Sequence, residues 1–98
     1  MKSMSNITFA IDDLPRRKDE GFRHVYVNQS NLAGSFMDLT ILFSEVTPVP
    51  GQDPPAEVVD RARITMTWEH AKALARLLGE RVAAYEQSGQ AIREQGEE

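Results

Sequence analysis

A chain of 98 residues has room for one domain, and its 27% charged and 41% hydrophobic residues lie near the globular average, away from the disordered extreme. A formal net charge of −4 speaks against a nucleic-acid binder, which carries a basic stripe, and the lack of cysteine removes disulfides, thiolate catalysis and Cys-ligated zinc while fitting a reducing cytosol. No apolar run has the length of a transmembrane helix, and Met1-Lys2-Ser3-Met4-Ser5-Asn6 lacks the apolar core of a signal peptide, so the expected location is the cytoplasm.

The chain begins with an arm. Ile7, Phe9 and Ile11 alternate with Thr8 and Ala10 as in a short strand, and the mixed-charge run Asp12 to Gly21 reads as a loop. Within it Arg16-Arg17-Lys18 is flanked by acids on both sides, as a solvated turn would be. The first domain strand is predicted over Phe22–Asn28 from the β-branched and aromatic run Val25-Tyr26-Val27. Turn residues follow over Asn28–Ser35. A second strand is predicted over Phe36–Val46, with Met37, Leu39, Ile41 and Phe43 on one face. Its other face, Phe36, Asp38, Thr40, Leu42, Ser44 and Val46, is only half polar.

Thr47–Ala56 contains four prolines and reads as an exposed hairpin loop. The third strand, Val58–Met66, should pair antiparallel with the second, since so short a connection suits a hairpin. Its alternation puts Asp60, Ala62, Ile64 and Met66 on one face and Arg61, Arg63 and Thr65 on the other. Thr67 is then a good N-cap, Glu69 favours the helix dipole, and Gly89 is a natural stop. Between them Ala71, Leu74, Ala75, Leu78, Val82 and Tyr85 form one apolar stripe, with Leu77, Ala73 and Ala84 beside it. Arg76 and Glu80 stand one turn apart on the opposite side. The fold class is therefore α+β: a three-stranded antiparallel sheet, or four-stranded if the arm joins it, packed on one long C-terminal helix. The chain divides into a flexible arm (1–21), one domain (22–92) and a disordered acidic tail (93–98).

Three stretches carry a resemblance: Tyr26-Val27-Asn28, Asp38-Leu39-Thr40-Ile41-Leu42-Phe43, and Arg63-Ile64-Thr65-Met66-Thr67-Trp68-Glu69-His70-Ala71-Lys72. Over roughly Val25 to Ile92 their order and spacing resemble a family of short bacterial and archaeal proteins known only as a domain of unknown function. That family is typified by a Tyr-x-Asn strand, an acid-led apolar strand and a Ser-Pro-Glu-His-Ala-Lys helix start. Trp68 replaces its proline and Ser44 a glycine common at the end of the second strand; neither change threatens the fold. The resemblance implies a fold and no chemistry. In architecture alone the order also resembles the export chaperone SecB and its relatives, small acidic subunits that assemble into oligomers.

Chemistry is sparse. Neither His24 nor His70 completes a metal-ligand spacing with nearby acids, Gly34 and Gly51 stand alone rather than in a phosphate loop, and no serine sits in a nucleophile elbow. No enzyme activity, metal or cofactor is expected. Arg61 and Arg63, with Arg23 near them, form a candidate contact for phosphate or an acidic partner, although such a trio more often serves to solubilise a sheet face. The apolar surplus says more. Tyr26, Phe36, Leu42, Val46 and Leu77 are left over once one helix stripe meets one sheet face, and such residues mark an interface. The expected function is a non-catalytic homo-oligomeric module, a dimer, that binds another protein or polypeptide. The alternative is a nucleic-acid-associated regulator using Arg61, Arg63 and the Arg16-Arg17-Lys18 run.

Overall fold

The computed structural model describes residues 10–94. Three strands, β1 (Gln29–Gly34), β2 (Asp38–Pro48) and β3 (Ala56–Thr67), form one antiparallel sheet in the order β1-β2-β3, followed directly by the helix α1 (Trp68–Gln87). This is the α+β arrangement expected. Ile11 lies in a short 3₁₀ turn (Ile11–Asp13), while the rest of the expected arm strand, Ile7 and Phe9, falls outside the described residues. So does the tail from Gln95.

The first strand lies seven residues later than the run Val25-Tyr26-Val27 suggests. Phe22–Asn28 is irregular, and most of the stretch expected to turn is β1 itself. Local closure explains the difference, because strand propensity depends on what a strand packs against, whereas hairpin geometry fixes register. Ser35 makes that closure. Its backbone N–H donates to the Asp38 carbonyl (2.8 Å), its Oγ accepts from the N–H groups of Met37 and Asp38 (3.1 Å each), and its hydroxyl donates to Asp38 Oδ1 (3.0 Å). Phe36 and Met37 therefore form a two-residue hairpin tip instead of opening β2, and Met37 leaves the apolar face on which alternation would place it. Asn28 extends the pairing by one step: its N–H donates to Ser44 O (3.0 Å), and its side-chain Oδ1 accepts from Val46 N–H (2.9 Å).

On β2 the alternation holds. Leu39, Ile41 and Phe43 share a face with Leu32 of β1 and with Met66, Ile64 and Ala62 of β3, their register partners. The register then slips between Phe43 and Ser44, where Phe43 pairs with Ala62 but Ser44 with Asp60. Arg61 is thus the extra residue of a β-bulge. The bulge takes Asp60 out of the set containing Ala62 and Ile64 and sets it beside Ser44, whose hydroxyl donates to Asp60 Oδ1 (2.8 Å). On the same side of the sheet the hydroxyls of Thr40 and Thr65 meet at 2.7 Å. That side is joined by polar pairs, and the apolar side faces the helix.

The helix starts where β3 ends. Thr67 closes the strand and caps the helix, its Oγ1 accepting from His70 N–H (3.0 Å). At the other end Ser88 and Gly89 donate back to Tyr85 and Glu86, and Gly89 sits at φ +99°, a left-handed position suited to glycine. Arg76 and Glu80 pair across one turn at 3.1 Å. The Trp68 side chain ties the first turn to the β1–β2 hairpin: its indole N–H donates to Ser35 O (3.0 Å), and its ring lies over Gly34, where an added Cβ would come within 3.0 Å of it. Beyond this anchor the helix touches the sheet only sparingly.

Candidate functional site

The helix follows directly on β3 at Thr67–Trp68, and a cleft lies between it and the sheet. The sheet wall carries Leu32, Leu39, Ile41, Phe43 and Met66, and the helix wall carries Ala71, Leu74, Ala75 and Leu78. The cleft between them holds about 320 Å³, and Ser30 is its one side chain with a polar group. Such a lining offers nothing for acid–base or phosphate chemistry and suits apolar contact. Among the described residues no three His, Cys, Asp or Glu side chains converge as a metal site would need.

These residues are the ones that should fill a two-layer core, yet they do not close it. Among the described residues no hydrophobic side chain is buried, and Ser44, 4% exposed, is the one buried residue. Leu32 is 67% exposed and Leu78 57%. Val82 and Tyr85, further along the same helix stripe, are exposed too. The chain shows 9132 Å² to solvent, where a compact monomer of 11.0 kDa shows about 5600 Å². Its radius of gyration is 18.0 Å, against about 13 Å for a compact domain of this length.

The residues singled out for an interface do not form one patch. Leu42 is half-buried on the sheet face away from the helix, and Val46 is exposed on the same strand face. Phe36 is 94% exposed at the hairpin tip, and Tyr26 is exposed in the irregular segment before β1. Leu77 is exposed on α1, about 100° around the helix from Leu78 and so off the cleft stripe. Sequence reasoning misses Leu32, which it places among turn residues. The signal that would have found it is the spacing Gly34-Ser35-x-x-Asp38, a two-residue hairpin that makes Ser30 and Leu32 strand residues.

The arginines are likewise separated. The bulge breaks the shared face expected of Arg61 and Arg63. Arg61 pairs with Glu45 at 2.8 Å, on the side of β2 that also carries Phe43, whereas Arg63 stands opposite Leu42 on the other side. Arg23 lies in the irregular segment. Arg16, Arg17 and Lys18 surround Phe22, with Arg17 near Asp19 (3.7 Å) and Lys18 Nζ 5.6 Å from the Phe22 ring centroid. Among the described residues no helix is long and apolar enough to cross a membrane.

No curated protein and no solved structure matches the chain at a significant level. A family match does cover the sheet, the cleft and the helix together: over residues 3–94 the chain matches the family described as a protein of unknown function (DUF3467), and it belongs to that family.

Proposed function

We propose that this chain is a non-catalytic interaction module that acts in the cytoplasm as a homo-oligomer, most simply a dimer, and binds another protein or polypeptide. One observation carries the reading: a helix stripe and a sheet face, both apolar and apposed, leave every hydrophobic side chain among the described residues at least partly open to solvent. Apolar burial is the main favourable term in folding, and a chain of this size has no second core to supply it. On this reading the missing cover comes from a second copy of the chain.

What self-association leaves open is then available to a polypeptide partner. The hairpin tip Phe36–Met37 is the best anchor, two large apolar side chains held on a turn fixed by Ser35. Sedimentation equilibrium across the micromolar range tests the first half of the reading. The expected mass is a multiple of the 11.0 kDa chain mass, and a monomer throughout overturns the proposal. Partner capture compared between wild type and a Phe36→Ser/Met37→Ser variant tests the second. Equal capture by both removes the tip from the reading.

A further inference from the structure

Among the described residues two apolar surfaces are left open. One is the groove between sheet and helix, walled by Leu32, Ile41, Phe43 and Leu74. The other is a ridge that continues the helix stripe past Leu78, the last residue of the groove wall, through Val82 and Tyr85 at four- and three-residue spacing, all three exposed. We infer that the occupant of the groove is the far half of α1 from a second copy, inserted reciprocally, so that two chains form an intertwined two-fold dimer with the helices crossing near Leu78. This rests on the proposed self-association and specifies its geometry.

Three arguments favour a second copy over a foreign segment. The cover has to be present whenever the chain is folded, because without it no apolar side chain among the described residues is buried. A partner met only occasionally does not meet that condition, whereas a second copy always does. Groove and ridge also occur once each among the described residues, so a single two-fold axis satisfies both, as an isologous contact requires. Area agrees as well. The protomer exposes about 3500 Å² more than a compact monomer of its mass, while a standard interface takes about 800 Å² from each partner.

The chain has no cysteine, so single thiols report on the geometry without background. A Ser30→Cys chain, with its thiol in the groove, is refolded together with a Val82→Cys chain, with its thiol on the ridge, and a short bifunctional thiol cross-linker is added. Expected is a covalent pair carrying one of each variant, abundant in the mixture and nearly absent when either variant is treated alone. Wild-type mass by sedimentation is measured in parallel, with circular dichroism to establish that both variants fold. A wild-type monomer overturns self-association and this geometry with it. A wild-type dimer without the mixed cross-link, and with its mass reduced by Leu42→Glu on the opposite sheet face, overturns the reciprocal helix exchange alone.

Discussion

Replacing Leu78 by alanine separates a chain that folds alone from one completed by a second copy, because the two cases assign different burial to the same side chain. Within the protomer Leu78 is 57% exposed, so less than half of it is covered. Burying a whole leucine contributes about 1.5–3 kcal/mol, and trimming one that is less than half covered should cost on the order of 1 kcal/mol. At the crossing of two helices the same residue is enclosed, and leucine-to-alanine costs about 2–5 kcal/mol per site, with two sites lost per dimer. The assay is a denaturant melt at low and high micromolar protein. Expected are a loss within the larger range and a midpoint that rises with protein concentration, as mass action requires of a dimer that unfolds on dissociation. Arg76→Ala, on the charged side of the helix, should shift stability by no more than about 0.5 kcal/mol. A Leu78→Ala loss near 1 kcal/mol, with a midpoint independent of concentration, would refute the reasoning.

Gly34→Ala should destabilise by about 1–3 kcal/mol, since the new Cβ would stand 3.0 Å from the Trp68 ring. In a Trp68→Ala background most of that cost should vanish, and a double-mutant cycle followed by circular dichroism reads the coupling. Thr67→Ala removes the oxygen that accepts from His70 N–H and should cost about 1 kcal/mol in a chemical melt, while Thr67→Ser retains most of the stability. Asp60→Ala leaves the buried Ser44 hydroxyl without its acceptor and should cost about 1–3 kcal/mol, with Asp60→Asn largely sparing it. Equal melting of the alanine and asparagine variants would mean that the hydrogen bond contributes nothing.

Features decided within a few residues were legible in the sequence. The Thr67 cap, the Gly89 stop, and the period of two along Leu39, Ile41 and Phe43 follow from local rules, as does the proline-rich loop, except that its expected edges Thr47, Pro48 and Ala56 pair as strand. β1 was displaced because Val25-Tyr26-Val27 scores as a strand in isolation, while Gln29–Gly34 forms one through a hairpin closed by Ser35 and a partner with a matching apolar face. The bulge at Arg61 was out of reach for a different reason: it belongs to two strands in register, and alternation along β3 alone carries no trace of it. The apolar stripe of the helix was legible residue by residue. Whether its own sheet closes over that stripe depends on the angle at which the helix leaves Trp68, and spacing along the chain does not encode that angle.

The location of the unmet apolar demand decides how the proposed module would work. Sequence reasoning places the surplus on Phe36, Leu42 and Val46 of the second strand, with Tyr26 before it and Leu77 on the helix. In the folded chain the β2 face of Leu42 and Val46 is joined by the Thr40–Thr65 and Ser44–Asp60 pairs, with Leu42 half-buried and Val46 exposed. The larger need lies between sheet and helix, on the residues any two-layer fold would use first. A module that draws its core from a second copy has no folded monomer to act with, so assembly comes before recognition and protein concentration controls both. A reciprocal dimer would close the two grooves and present two Phe36–Met37 tips related by the same axis. A partner with two suitable sites would then gain from effective concentration, each tip raising the occupancy of the other without any new contact. Weak individual tips are compatible with tight capture on these terms, and a partner offering a single site would be held only at the affinity of one.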